Sequence, residues 1–247
     1  MRSSVPCKER CQSLREAVAA IEQRGSAAAS DAGSLPTGWD ALALERGCLH
    51  EWLGVQDDGR WRPPLAILAH LAGQASDDDA SGRAIAWIGR RCWIAPRALI
   101  RDRDDRSLLH HSLFIDPPGT GERLWAIDLA LRSAGVCAVI ADARGLPMSA
   151  SRRLQLASQE GGMLALLTRP ASEVRAASAA RTRWMVHWEK AEAPGWRIEL
   201  LRRKGVRPKT EGARQRFVQR DHEAGIVGVV SPVSDRRVAS APARASA

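Results

Sequence analysis

The sequence predicts an α/β protein: a mostly parallel, twisted sheet with helices on both faces, followed by an antiparallel hairpin. Three observations predict it. Short apolar runs alternate with helical segments through the middle of the chain, as a buried, mostly parallel sheet requires, because helices must cover both of its faces. Each run is compact and bounded by Gly, Pro or polar residues, as buried strands are. From about residue 183 the rhythm changes to two strand-like runs around a Pro-Gly turn, "RWMVHWEKAEAPGWRIELLRRKG", which reads as a hairpin.

In chain order, "CLHEWLG" (48–54) is a short apolar run ended by Gly, "LAILAHLAGQA" (65–75) has helical periodicity, and "RAIAWIG" (83–89) is a compact strand. Helical "RALIRD" follows Pro96, and then "SLLHHSLFID", or its second half, reads as a strand. A helix over 122–134, a strand over 136–143, a helix near 150–159 and a strand over 162–170 complete the alternation. Beyond the hairpin, strand-like pieces lie at 216–219 and 226–230. At the N-terminus Cys11, Leu14, Val18 and Ile21 recur at helical spacing within 8–24. They predict an amphipathic helix that docks on its own core or on another chain. Gly25 stops it, and "SAAASDAGS" reads as a linker. The last stretch is rich in Ser, Ala and Pro, a composition that predicts disorder. The expected organisation is an N-terminal helix and linker (1–30), a core with a basic C-terminal hairpin (31–230) and a tail (231–247).

The formal charge is +9, which favours a polyanion or an acidic protein face as partner. Only Lys8, Lys190, Lys204 and Lys209 are lysines; the rest of the basic charge is Arg, whose planar fork suits phosphate. A GC-rich genome would give the same Arg excess. The five cysteines, Cys7, Cys11, Cys48, Cys92 and Cys137, are odd in number and scattered, as reduced, packed thiols would be. No window approaches the apolar length of a membrane span, and the start lacks the apolar core of a secretory signal. The expectation is a soluble, cytoplasmic chain with no membrane contact.

"DPPGTGERLW" (116–125) poses the question of a phosphate-cradling loop, which needs converging backbone amides, a Lys and a Ser or Thr. Asp116 stands in the first Gly slot, Glu122 in the Lys slot and Arg123 in the Ser/Thr slot. A carboxylate at the Lys position repels a triphosphate. The stretch reads instead as a turn leading into the helix that begins near Glu122. Between 197 and 220 nine basic side chains (Arg197, Arg202, Arg203, Lys204, Arg207, Lys209, Arg214, Arg216 and Arg220) face only Glu199 and Glu211. That net +7 could contact several phosphates in a salt-dependent way, or serve as a solvated hairpin tip.

The order of these elements resembles the RecA recombinases over roughly residues 35–230. "DPPGTGERLWAIDLALRSAGVCAVIADA" is similar to the segment in which a T-G-E turn opens a helix leading to the strand that ends at the magnesium-site Asp; Asp142 matches that Asp. "AWIGRRCWIAP" resembles the strand and loop of the catalytic Glu, and "LPTGWDALALERGCLHEWLG" the lead-in to the phosphate loop. More closely, "LPTGW", "GCLHEWLG", "SRRLQLASQEGGMLALLTRPA", "TRWMV" and "WRIELLRRKGVRP" are similar to patterns of the ImuA family, RecA-like accessory proteins of damage-induced mutagenesis.

The resemblance implies a RecA-like fold without a functional phosphate loop. In its register the loop should follow Trp52, where "LGVQDDGRWRPPLAIL" supplies Gly54 and Gly59 but no Lys-Ser or Lys-Thr, and two prolines that cannot donate amides. The catalytic Glu position holds Arg91, a guanidinium that stays protonated. Only Asp142 survives. Phosphoryl transfer depends on positioning and charge stabilisation, so neither catalysis nor a cofactor or metal is expected. The resemblance implies RecA, an ImuB-like translesion polymerase subunit and single-stranded DNA as partners, in an oligomer or alone. It places Arg152 and Arg153, just beyond the Asp142 strand, where recombinases set a DNA-facing loop. With Arg202, Arg203, Lys204, Arg207 and Lys209 they are the DNA candidates. SulA-type cell-division inhibitors share the degenerate architecture and are the alternative; the basic segment has no obvious use there.

The remaining candidates carry less. His110-His111 lies at a strand edge with no clustered ligand partner. His50-Glu51 reads as structural, and neither Ser149 nor Ser151 sits in a nucleophile elbow. Of nine tryptophans, Trp87, Trp125 and Trp188 fall in apolar runs and are expected in the core. Trp61 lies between Arg60 and Arg62, where its ring could stack on a base or partner. With Leu14, Val18 and Ile21 it completes the partner-docking candidates.

Overall fold

Nine strands share one sheet, six of them running parallel side by side. A computed structural model describes residues 33–36, 43–54, 56–57, 60–100, 107–189, 195–204, 216–220 and 227–230. The strands are β1 (Ser34–Pro36), β2 (Ala43–Glu45), β3 (Cys48–Gly54), β4 (Gln56–Asp57), β5 (Arg60–Trp61), β6 (Ala84–Ile88), β7 (Ser112–Ile115), β8 (Val136–Asp142), β9 (Leu164–Pro170), β10 (Thr182–Glu189), β11 (Gly195–Arg203), β12 (Arg216–Arg220) and β13 (Val227–Val230). The helices are α1 (Leu65–Asp77), the single turn α2 (Ser107–His110), α3 (Thr120–Arg132) and α4 (Met148–Gly161).

The main sheet runs β13-β12-β11-β10-β3-β9-β8-β6-β7. The first four of these strands pair antiparallel, β10 then pairs parallel to β3, and every later pair is parallel. The expected α/β architecture, with its C-terminal antiparallel hairpin, is therefore present, and β12 and β13 extend the hairpin into a meander. Two small hairpins, β1-β2 and β4-β5, stand outside the main sheet.

The parallel strands read as continuous apolar runs because both of their faces are covered. β8 "VCAVIAD" and β9 "LALLTRP" are buried at every position. Alternate residues feed two separate cores. Ile85, Trp87, Ile140, Leu164 and Leu166 pack with α1 and the β1-β2 hairpin, while Ala86, Ile88, Val139, Ala141, Ala165 and Leu167 pack with α3 and α4. α4 stops at Gly162, which takes the left-handed conformation at φ 65°, as a helix terminator does.

Several expectations are corrected. Of the two readings of "SLLHHSLFID", the one that made only its second half a strand holds, and the first half is the turn α2. After Pro96 the chain forms a short 3₁₀ turn, Pro96–Leu99. Trp125 and Trp188 are not core. Trp125 is 62% exposed on the outer face of α3, and Trp188 is 37% exposed at the distal end of the hairpin, edge-on to Trp196. Trp87 is wholly buried, as expected. The predicted helix over 8–24, the linker and the tail lie outside the described residues.

Polar groups inside the sheet form two connected sets. Glu51, on β3, is almost wholly buried and is met by Arg169 of β9 (Nη1 to Oε1, 3.2 Å), Arg183 of β10 (Nε to Oε2, 2.8 Å) and the Ser178 hydroxyl (2.6 Å). Arg169 also pairs with Glu173 at 2.6 Å, and Arg183 donates to the carbonyls of Glu173, Val174 and Ala176. Two guanidiniums and two carboxylates thus tie three adjacent strands to the 171–181 connection.

The neighbouring set is a neutral relay. The Trp184 indole donates to Thr182 Oγ1 (2.7 Å), whose hydroxyl donates to His50 Nδ1 (2.8 Å), and His50 Nε2 donates to the Glu45 carbonyl (2.9 Å). A carbonyl only accepts, so His50 must be the neutral Nε2–H tautomer. Burial pushes its pKa down from 6.5 to about 4. Unfolded, His50 takes up its proton near pH 6.5; folded, it resists until about pH 4. Its contribution is complete above pH 6.5 and is lost as pH falls through this window, by about 3 kcal/mol in all. The expected outcome in urea unfolding is a steady loss of stability between pH 6.5 and 4.5, above the range where carboxylates titrate. H50Q should flatten that slope.

Candidate functional site

The place of a nucleotide site in this topology is the turn between β3 and α1, flanked by the C-terminal ends of β6 and β8. Its backbone is folded back on itself. β3 ends at Gly54, β4 and β5 close a two-rung hairpin in which Gln56 pairs with Trp61, and Pro63-Pro64 lead into α1. A Cβ at Gly54 would collide with the Arg62 carbonyl oxygen and lie 3.4 Å from Trp61 Nε1. Only Gly permits the returning strand to approach so closely. The segment where a phosphate loop would hold its anion instead carries Trp61 against the end of its own strand.

The side chains around it are cationic. Trp61 is only 6% exposed, so the expectation of a ring presented to a base or partner gives way to a ring packed in place. Arg91 and Arg144 each set a guanidinium carbon over the Trp61 ring, 5.7 Å from its centroid, within cation–π range. Arg91 sits in a 3₁₀ turn, Arg90–Cys92, entered through Gly89 at φ 89°. A side chain at Gly89 would also press on Asp142, whose Cβ would lie 3.0 Å away. Cys92 anchors that turn: its thiol meets Thr168 Oγ1 at 3.3 Å, and burial pushes its pKa up to about 12, leaving it inert.

Asp142 ends β8, 2% exposed. Its Oδ2 lies 3.6 Å from Arg123 Nη1 and 3.6 Å from Arg144 Nη2, and its Oδ1 accepts from the Arg144 backbone N–H at 2.9 Å. Arg123 also donates to the Arg144 carbonyl at 3.0 Å. Arg123 is the residue in the Ser/Thr slot of the degenerate "GTGERLW" motif, and it reaches the acid that would face magnesium. Glu122, in the Lys slot, curls back over Gly119, where a Cβ would meet Oε2 at 2.5 Å. Among the described residues no group of three or more His, Cys, Asp or Glu is placed to hold a metal.

The chain is 29% identical over 224 residues to Protein ImuA of Caulobacter vibrioides strain NA1000 / CB15N, a match that covers 81% of this chain and 87% of that relative. The same figures hold for Protein ImuA of strain ATCC 19089 / CIP 103742 / CB 15. The resemblance to the ImuA family holds. No family model matches the chain.

The DNA candidates read from the ImuA-like sequence divide in two. Arg207 and Lys209 lie outside the described residues, as do Gly59 and the docking candidates Leu14, Val18 and Ile21. Among the described residues, the 178–180 connection links the start of α4 to Arg202 of β11. Ser151 of α4, next to Arg152 and Arg153, accepts from the Ala179 N–H at 2.9 Å; Arg202 of β11 donates to the carbonyls of Ser178 (2.9 Å) and Ala180 (3.0 Å). Three of these arginines have structural employment. Arg153 makes a bidentate pair with Asp128 of α3, both bonds 3.0 Å, and holds that carboxyl below its usual range. Arg203 pairs with Glu45 at 3.2 Å, and Arg202 closes the carbonyls just named. Arg152 and Lys204 are solvent-exposed. Sequence reasoning missed the pairing of Arg123 with Asp142, which joins α3 to the end of β8 with no sequence spacing to announce it, and did not single out Arg144, two residues beyond Asp142.

If Asp142 holds these arginines together, D142A should destabilise the chain by about 2 kcal/mol, since it strands the largely buried Arg123 guanidinium. Thermal and urea unfolding of D142A against wild type would measure it. An acid kept for metal chemistry would instead leave stability unchanged or raised when removed.

Proposed function

We propose that this chain is a non-catalytic accessory protein of damage-induced mutagenesis, which acts in SOS-type translesion synthesis by contact with RecA, with an ImuB-like polymerase subunit and with single-stranded DNA. The resemblance to ImuA supports the setting. The observation that carries the non-catalytic half is Asp142: the acid that an active relative would turn to magnesium is spent on Arg123 and Arg144. With Arg91 in the position of the catalytic Glu and the loop folded onto Gly54, the groups that position a triphosphate and activate its attacker are replaced by cations and indole.

DNA contact falls to the basic hairpin and the exposed start of α4. Arg181 and Arg203 hold the base of the hairpin through Glu45, which braces it just before Lys204 and the basic residues that follow in sequence. A K204A/R207A/K209A variant spares the braced arginines. Single-stranded DNA binding should weaken, and the log–log salt slope should fall by about 2, at roughly 0.7 per lost phosphate contact. Unchanged affinity and slope would remove these residues from the DNA contact.

A further inference from the structure

One face of the described fold carries large apolar side chains that its own helices leave in water. On α3, Trp125 and Leu129 stand one turn apart, 62% and 52% exposed; on α4, Leu156 is 58% exposed. Two ion-pair seams fix how the helices lie. Arg153 of α4 clasps Asp128 of α3, and Arg132 of α3 bridges Asp128 and Glu160 of α4. Positions 128–132 of α3 therefore run alongside 153–160 of α4, with the exposed Trp125 and Leu129 on the α3 side of this charged seam and Leu156 on the α4 side. Scattered exposed apolar residues need no explanation, but three large ones, a Trp among them, on two adjoining helices have the composition of a contact surface.

The path of the chain says what covers it. The Arg46 N–H donates to the Gly33 carbonyl at 3.1 Å, and the Gly47 N–H to the Met163 carbonyl at 2.8 Å. A Cβ at Gly47 would lie 3.7 Å from the Gln159 Cα and 3.8 Å from the Gly162 Cα. Gln159 is one turn beyond Leu156. Residues 1–32 thus join the fold beside the C-terminal end of α4, near Leu156. Residues 8–24 carry Cys11, Leu14, Val18 and Ile21 at helical spacing, which as a helix is about 25 Å long; the eight residues 25–32 span up to about 27 Å. Both the apolar stripe and the reach match.

We propose that residues 8–24 dock in cis on the α3-α4 face, laying Leu14, Val18 and Ile21 over Trp125, Leu129 and Leu156. This inference is independent of the proposed function. It makes the N-terminal segment the cover of an aromatic anchor: whatever displaces the segment uncovers Trp125.

The test is hydroxyl-radical footprinting of the full chain, read by mass spectrometry at Trp125, Leu129 and Leu156, against the full-length variant L14D/V18D/I21D. The expected result is a several-fold rise in oxidation of all three residues in the variant, with wild-type protection unchanged over a hundredfold range of protein concentration. Equal oxidation in both proteins would overturn the proposal, and so would protection that appears only as concentration rises, which would assign the face to a second copy. A cross-link needs no disruptive variant. A short bis-maleimide should join Cys11 to L156C within one chain and not to L113C at the far sheet edge; equal yield at both, or none at L156C, would refute the docking.

Discussion

A single buried carboxylate organises the middle of this molecule. Glu51 sits on β3, between the two strands whose arginines reach it, so β9, β3 and β10 are locked in register by charge as well as by backbone ladder. A buried ion pair repays its desolvation only when geometry is good and the remaining donors are satisfied. Here Arg183 closes three carbonyls of the 173–176 turn, Arg169 takes Glu173, and Ser178 caps Glu51. That arrangement orders the 171–181 connection, which in turn joins α4 to β11 through Ser151, Ala179 and Arg202. An interior acid thus holds the strap that links the start of α4 to β11.

The same chemistry recurs at the end of β8. Asp142 is satisfied by Arg123 and Arg144, and the excess cation is laid over Trp61. Both of these acids are thus consumed internally, Glu51 by arginines of the neighbouring strands and Asp142 by one arginine of α3 and one just after β8. This changes the meaning of an Arg-rich composition. Arg83, Arg132, Arg153, Arg169, Arg181, Arg183 and Arg203 are all in ion pairs with acids of the fold. A good part of the charge that suggests a polyanion partner is mortar. In the proposed function, the share left for DNA is the smaller set that follows β11 in sequence, with Arg152.

Strands buried on both faces were legible because burial leaves them continuously apolar, and β3, β6, β8 and β9 lie within a residue or two of their expected ends. The hairpin was legible from its Pro-Gly turn. The small hairpins β1-β2 and β4-β5 were not, since two- and three-residue strands carry no period. Trp125 misled for a physical reason: "RLWAIDLALR" is apolar enough to mask which face turns inward, and the sheet takes Ala126, Ile127, Ala130 and Leu131 while Trp125 and Leu129 point outward. Trp61 misled oppositely, because polar neighbours suggested exposure while two cross-fold guanidiniums bury it. At the candidate site, motif spacing exposed what was missing, Lys, Ser/Thr and Glu. What replaced them is long-range pairing that no local pattern records.

The central claim is that a nucleotide-hydrolysing architecture is retained as shape, with its metal-facing acid and phosphate loop occupied by the chain's own arginines and indole. Titration calorimetry of the full chain with ATP, with and without magnesium, tests it most directly. The account predicts no magnesium-dependent binding even at millimolar nucleotide, for wild type and D142A alike; micromolar, magnesium-dependent uptake abolished by D142A would contradict it.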